Sequence, residues 1–246
     1  GRQVALGNEK EQDTAWMKYV EACTIESKAT TEPADIKIEV ARGGEYKIRL
    51  EDGTTVWLNS ESSLIYPEKF TGDKRAVRLS GEGYFEVARD EKKPFIVSVT
   101  DMEIKVLGTK FNVTAYQDEK MTTTTLISGA VEVVTPHRSV QLQPGKQAMV
   151  QEGGDDITVL EVDVELATSW TAGIFKFDKM ALTDICTRLS RWYDIDFVFE
   201  GETGKEKFTG GTWKYVPLKD FLSKIERVTN VLFLFENNTV KVVPKK

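Results

Sequence analysis

The sequence predicts an all-β domain, sandwich or jelly-roll-like, followed by a small α+β domain of order β-α-β-β-α-β-β. Three observations carry this. Between residues 35 and 167, short runs alternate apolar and polar residues, with Gly or Pro between most of them, as in half-buried strands joined by turns. No helical stretch interrupts these runs. From residue 168 the period changes, and two segments place apolar residues at helical spacing.

Composition narrows the function classes. The 246 residues carry 33 basic and 39 acidic side chains, a formal net charge of −6, which argues against general nucleic-acid binding through a basic face. One His and two Cys are too few for a multi-ligand zinc or haem site or a disulfide scaffold. No cofactor is expected. The longest purely apolar run, 231–235, is far below the roughly 20 residues that span a bilayer. The chain opens on Gly1 rather than Met, so the expectation is a trimmed chain whose N-terminal signals lie upstream.

Residues 1–34 read as a polar leader and linker. Within it, Trp16, Val20 and Cys23 share one side of a short helix capped near Asp13, and Thr30-Thr31-Glu32-Pro33 follows as linker. From Asp35 the period is two. Tyr46, Ile48 and Leu50 alternate with Lys47 and Arg49, and Val56 and Leu58 flank Trp57. Asp52-Gly53 between them predicts a hairpin, because φ > 0 costs little there. Further alternations are Val77 with Leu79, Phe85 with Val87, Phe95 with Val97 and Val99, Ile104 with Val106, Phe111 with Val113 and Ala115, and Val131 with Val133. Gly72, Gly81, Gly83, Pro94, Gly108, Gly129, Pro144 and Gly145 read as the breaks. The threonine run 122–125 suits a strand.

Beyond Ala167, Phe175 and Phe177 close a short strand and Asp178 is the expected N-cap of a helix. Leu182, Ile185, Cys186, Leu189, Trp192 and Tyr193 recur at offsets of 3, 4, 7, 10 and 11, one stripe of that helix. Phe197 and Phe199 open a strand, and Gly210-Gly211 marks a break. Pro217 suits the first turn of a second helix, which buries Leu218, Phe221, Leu222, Ile225 and Val228. Residues 231–235 read as a buried strand, turning at Asn237-Asn238 into 240–243. Both helices are expected on one face of a small sheet. The division is a linker over 1–34, an all-β domain over 35–167 and an α+β domain over 168–246.

No catalytic constellation emerges. His137 lies between Pro136 and Arg138 in a turn, and no G-x-S-x-G elbow exists. Glu82 and Glu86 share one strand face, a spacing open to an acid pair, but the spacing is common and a solvated face is the favoured reading. Gly81-Glu82-Gly83 lacks the third glycine of a phosphate-binding loop. Cys186 reads as a small buried hydrophobe; a bridge to Cys23 is the alternative. An enzyme is not expected. A carbohydrate-binding sandwich, with Trp57, Tyr66 and Tyr84 stacking on sugar rings, is the main rival to a protein-binding module, and a hydrolase using Glu82 and Glu86 is a lesser one. Coplanar exposed rings on one face would favour glycan binding.

Longer motifs carry a family resemblance. Gly44-Glu45-Tyr46-Lys47-Ile48-Arg49-Leu50-Glu51-Asp52-Gly53-Thr54 leads into Val56-Trp57-Leu58-Asn59 and Ser62-Ser63-Leu64. Tyr66-Pro67, Phe70 and Arg78-Leu79-Ser80-Gly81-Glu82-Gly83-Tyr84-Phe85-Glu86-Val87 follow, then Pro94-Phe95, Val106-Leu107-Gly108-Thr109-Lys110-Phe111-Asn112-Val113 and Leu142-x-Pro144-Gly145-x-Gln147-Ala148. This series resembles the periplasmic domain of the FecR family. Trp170-x-x-Gly173-x-Phe175-x-Phe177 and Leu189-Ser190-Arg191-Trp192-Tyr193-Asp194 resemble the domain that follows it in members of the Bacteroidetes type.

The resemblance implies a single-span inner-membrane anti-sigma factor. Its cytoplasmic part would hold an extracytoplasmic-function (ECF) sigma factor, and its periplasmic part would sense the signalling domain of a TonB-dependent outer-membrane transporter. This chain would be the periplasmic portion, with residues 1–34 as membrane-proximal tether and the span upstream. The C-terminal domain resembles the short N-terminal signalling domains of secretins and TonB-dependent receptors. Two features are singled out on this basis. Some members cleave themselves at a Gly-Thr bond, and Gly108-Thr109 matches that position; the plain reading is a tight turn. A partner would meet the signalling domain by strand pairing at Val240, Lys241, Val242 and Val243 or at the strand around Phe197, with Trp213 and Tyr215 as aromatic anchors. The plain readings are internal pairing for the strands and core cover for the rings.

Overall fold

The computed structural model describes residues 23–27, 35–100 and 102–245. The chain forms two compact units, divided at the Ala167–Thr168 bond. No helix among the described residues is long and apolar enough to cross a membrane.

The first unit is built of strands, with one short helix (Val164–Thr168) at its boundary. Its strands are β1 (Cys23–Ser27), β2 (Asp35–Val40), β3 (Tyr46–Arg49), β4 (Thr55–Leu58), β5 (Ser62–Pro67), β6 (Arg75–Glu86) and β7 (Phe95–Val99). These are followed by β8 (Met102–Val106), β9 (Lys110–Ala115), β10 (Met121–Ser128), β11 (Val131–Val134), β12 (Ser139–Leu142), β13 (Lys146–Gln151) and β14 (Ile157–Glu161). Cys23 lies in β1, antiparallel to β2, where the sequence pattern suggested a helix and linker. The remainder of that helix lies outside the described residues.

β6 organises this unit. Val77–Leu79 and Phe85–Val87 read as two alternating segments broken by Gly81 and Gly83, yet residues 75–86 are one strand of 12 residues. Its first half pairs with β5 and, in parallel, with β7. Its second half pairs with β4 and β9. The bend falls at Gly81, whose φ is +90°. A Cβ there would lie 2.7 Å from the Ser62 Cα, so glycine is required for both conformation and space. One strand therefore serves two sheets. The first runs β1-β2-β5-β6-β7-β8-β11-β12, and the second β3-β4-β6-β9-β10-β13-β14. The parallel β6–β7 pair separates this topology from an all-antiparallel jelly roll. Its crossover is the excursion of the chain through the second sheet.

Apolar residues from both sheets form one core. Phe85 and Phe111 stack at 5.0 Å and Phe95 tilts against Phe85 at 6.4 Å; all three are fully buried. Each such ring contributes about 1.5–3 kcal/mol relative to exposure. The Asp52-Gly53 hairpin is wider than a two-residue turn, because Arg49 and Thr55 are its last paired residues. Asp52 instead works inward: its carboxylate accepts from the Thr54 N–H at 3.0 Å and from Arg75 Nη1 at 2.7 Å. The buried Arg75 also donates to the carbonyls of Ala88 and Lys93.

The second unit contains a 3₁₀ turn (Ser169–Ala172), β15 (Ile174–Ala181), α1 (Leu182–Tyr193), β16 (Asp196–Phe199), β17 (Lys207–Trp213), α2 (Leu218–Arg227), β18 (Val231–Glu236) and β19 (Thr239–Pro244). Its strands do not form one small sheet. β15 pairs with β17 in one sheet, and β16-β19-β18 form another, with α1 contacting strands of both. The predicted stripe of α1 is buried at Leu182, Ile185, Cys186, Leu189 and Trp192. Asp178 is not its cap. β15 continues past Asp178, and the helix's first N–H groups donate instead to the carbonyls of Glu206 and Gly204. α2 buries Leu218, Phe221, Leu222 and Ile225, whereas Val228, at its C-cap, is 74% exposed.

Candidate functional site

In the first unit, Gly108 and Thr109 form the corner between β8 and β9. The Thr109 hydroxyl is buried and donates to the Ala130 carbonyl at 2.8 Å. A Cβ on Gly108 would lie 2.7 Å from the Arg89 Cα, and one on Gly129 would lie 2.8 Å from the Thr109 Oγ1. This is a site of close backbone packing, and the φ of Gly108 lies outside the left-handed region. A cleft of about 640 Å³ opens beside it, lined mainly by apolar groups including Pro94, Leu107 and Ala130.

Glu82 and Glu86 lie on the outer face of the second sheet. Glu82 accepts from Asn59 at 2.7 Å, Asn112 at 3.0 Å and Thr114 at 3.3 Å. Glu86 accepts from Lys110 at 2.8 Å and from the Tyr84 hydroxyl at 3.4 Å. Burial and, next, the Glu86 charge push the Tyr84 phenol above its ordinary value. The hydrogen bond to Glu86 raises Lys110. Both carboxylates thus cross-link neighbouring strands, and neither lines the cleft. Trp57 and Tyr84 meet edge to face, 5.3 Å apart at 71°, and Tyr66 is buried in the core. The coplanar platform that would favour glycan binding is not formed by these three rings.

In the second unit the motif aromatics gather around a lysine that sequence reasoning missed. Lys214 is 1% exposed. Its ammonium sits 3.8 Å from the Trp192 ring centroid, 5.7 Å from Phe175 and 5.8 Å from Trp170, a cation–π cage. The Lys214 carbonyl accepts from Trp192 Nε1 at 2.7 Å and from the Tyr193 hydroxyl at 3.1 Å. Gly173, at φ +72°, ends the 3₁₀ turn, and its carbonyl accepts from the Lys214 N–H at 2.9 Å. The Trp-x-x-Gly-x-Phe and Arg-Trp-Tyr motifs are therefore scaffold for this segment. Cys186 is a buried free thiol, and burial pushes its pKa upward.

The flanking residues face outward. Trp213 is 61% exposed and Tyr215 53%, so neither is core cover, though Tyr215 rests edge-on against Trp192 at 5.8 Å. Val240, Lys241, Val242 and Val243 do not form an edge. β19 is the central strand, parallel to β16 on one side and antiparallel to β18 on the other, and Val240 and Val242 are fully buried. The edges of this sheet are β16 and β18. β18, read as a buried strand, exposes Leu232, Leu234 and Phe235.

Comparison with known proteins places both units. The FecR protein family model matches residues 36–132, and the FecR C-terminal model matches residues 174–242. No curated protein sequence matches. A crystal structure described as a "putative anti-sigma factor" from Parabacteroides distasonis ATCC 8503, solved at 1.65 Å, is similar over 85% of this chain and 99% of its own, with 30% identity and a TM-score of 0.79. A second structure of that description, at 2.50 Å, gives 30% identity and a TM-score of 0.79 over 86% of this chain and 100% of its own. Two family models in series, and a relative of this identity aligned over nearly its whole length, show that the chain belongs to the FecR family of anti-sigma factors.

Proposed function

We propose that this chain is the periplasmic sensor region of a single-span inner-membrane anti-sigma regulator. It receives the signalling domain of a TonB-dependent outer-membrane transporter and relays that contact to an ECF sigma factor held by the regulator's cytoplasmic part. The chain acts by contact and catalyses nothing. Family membership supports the anti-sigma role. The observation that carries the contact reading is the pair Trp213 and Tyr215, both more than half exposed on a segment anchored from beneath through Lys214. Exposed aromatics on a rigid support suit an interface anchor, since little side-chain freedom is lost on binding.

The test is calorimetric titration of the 246-residue chain with the signalling domains of the TonB-dependent transporters of the same organism. Binding is expected, and Trp213→Ala and Tyr215→Ala are each expected to weaken it about tenfold or more. An absence of binding by the unaltered chain refutes the relay. Full affinity in both variants refutes the aromatic contact.

A further inference from the structure

We infer that the outer edge of β16 is a docking site for an extended protein segment whose outward-facing side chains read basic, apolar, basic. The inference deepens the contact reading above by naming the edge and the chemistry of what pairs with it. It starts from where the main-chain groups point. The Asp196 N–H donates to the Asn238 carbonyl at 3.0 Å and the Glu200 N–H to the Val242 carbonyl at 2.9 Å. In a parallel ladder alternate residues turn to the same neighbour, so residues 196, 198 and 200 address β19. Phe197 and Phe199 turn their N–H and C=O groups the other way. Among the described residues, no hydrogen bond to those groups is present.

The opposite edge of the same sheet is capped over its first half. The outward N–H of Phe233 on β18 donates to Glu226 Oε1 at 2.7 Å. The Lys245 ammonium covers that end, donating to the Thr229 and Glu226 carbonyls. A side-chain acceptor and a charge on an edge are devices that block strand addition. In the other sheet, β15 carries a register shift between Phe177 and Met180, which breaks a regular edge. On β16, among the described residues, no side chain caps the outward main-chain groups of Phe197 and Phe199, and its exposed acids lie on the open face of the sheet.

Charge then selects the occupant. Asp196, Val198 and Glu200 project from the outer face of β16 and all three are exposed, Val198 at 46%. A strand laid along this edge places its own side chains directly opposite these three, where opposite charges attract and like charges repel. The best complement is a basic residue facing Asp196, an apolar one facing Val198 and a basic one facing Glu200. This pattern is symmetric, so it suits an added strand of either direction. The position opposite Val198 extends a row of Val198, Lys241 and Leu234 across the sheet; the Lys241 ammonium turns to Glu236 at 2.7 Å, and Leu234 is 47% exposed.

The probe is a pair of synthetic peptides, each alternating threonine with the test residues: Lys, Val, Lys in one and Glu, Val, Glu in the other. Amide exchange is followed by NMR in the full 246-residue chain. With the basic peptide at about ten times its Kd, exchange at Phe197 and Phe199 is expected to slow roughly tenfold. The effect should weaken with added salt, and the acidic peptide should have none. Glu200→Lys, at an exposed position, is expected to reduce binding of the basic peptide. Equal protection by both peptides, protection elsewhere only, or protection that grows with protein concentration without peptide each overturns the inference; the last assigns the edge to a second copy. If the peptide docks here while the transporter domain fails to bind, the relay fails and the edge site stands. If that domain binds and Phe197 and Phe199 stay unprotected, the edge site fails and the relay stands.

Discussion

Replacing Gly81 by Ala tests the assignment of β6 as one bent strand. At φ +90° a Cβ introduces left-handed strain of roughly 1–2 kcal/mol. Its approach to 2.7 Å of the Ser62 Cα is a backbone clash, so relief requires parting β5 from β6; overpacking of this kind costs about 1–3 kcal/mol. The gain from restricting the unfolded chain returns about 0.4–1 kcal/mol, leaving a net loss of about 1–4.5 kcal/mol. Two controls separate the contributions. Gly145, at φ +84° with open space around it, carries the conformational part alone, and Gly72 carries neither. Urea titrations followed through the methyl signals of Val113 and Leu126, both fully buried in the first unit, report that unit by itself. With a slope of about 2 kcal/mol per molar urea, Gly81→Ala should lower the midpoint by about 0.5–2 M. Gly145→Ala should lower it by less than half of that, and Gly72→Ala should leave it unchanged or slightly raised. A Gly81→Ala midpoint equal to that of Gly145→Ala refutes the close approach at Ser62 and with it the bend as described.

Two further outcomes follow from the same unit. Asp52→Ala leaves the Arg75 guanidinium, whose side chain is 3% exposed, buried without its carboxylate; a loss of about 3–5 kcal/mol is expected by urea unfolding, against under about 1 kcal/mol for Asp35→Ala, whose partner Arg78 is exposed. The Tyr84 phenol should titrate above its ordinary 10.0 by ultraviolet difference against Tyr84→Phe. Because the folded value is raised, this group's contribution is fully present below the unfolded pKa and fades as pH rises through the folded one; Glu86→Gln should move the titration downward while the burial part persists.

The helix α1 was legible because its stripe faces strands on one side and repeats at the helical period, a local property. The paired strands of the first unit were legible for the same reason at period two. Non-local facts were not. Gly81 and Gly83 have the composition of a turn, and only Ser62, some 20 residues earlier, shows that Gly81 is a bend inside a strand. Alternation in 240–243 announces a strand but not its neighbours, so the central position of β19 was invisible. The apolar run 231–235 matches a buried strand, although its sheet has one open face. Asp178 has capping chemistry, but the loop carbonyls of Gly204 and Glu206 supply the acceptors instead. Lys214 has no local signature, since its three aromatic neighbours come from two motifs distant from it in the chain.

That lysine gives the segment 213–215 an unusual division of labour. Trp213 ends β17, and Lys214 and Tyr215 sit in a turn that the Val216 N–H closes on the Trp213 carbonyl at 3.3 Å, so the two exposed rings are separated by one residue fastened on its main-chain donor, its carbonyl and its ammonium. A partner seated on Tyr215 would thus lie one ring contact from Trp192 of α1, and one seated on Trp213 would lie one residue from the carbonyl and ammonium that hold the same indole.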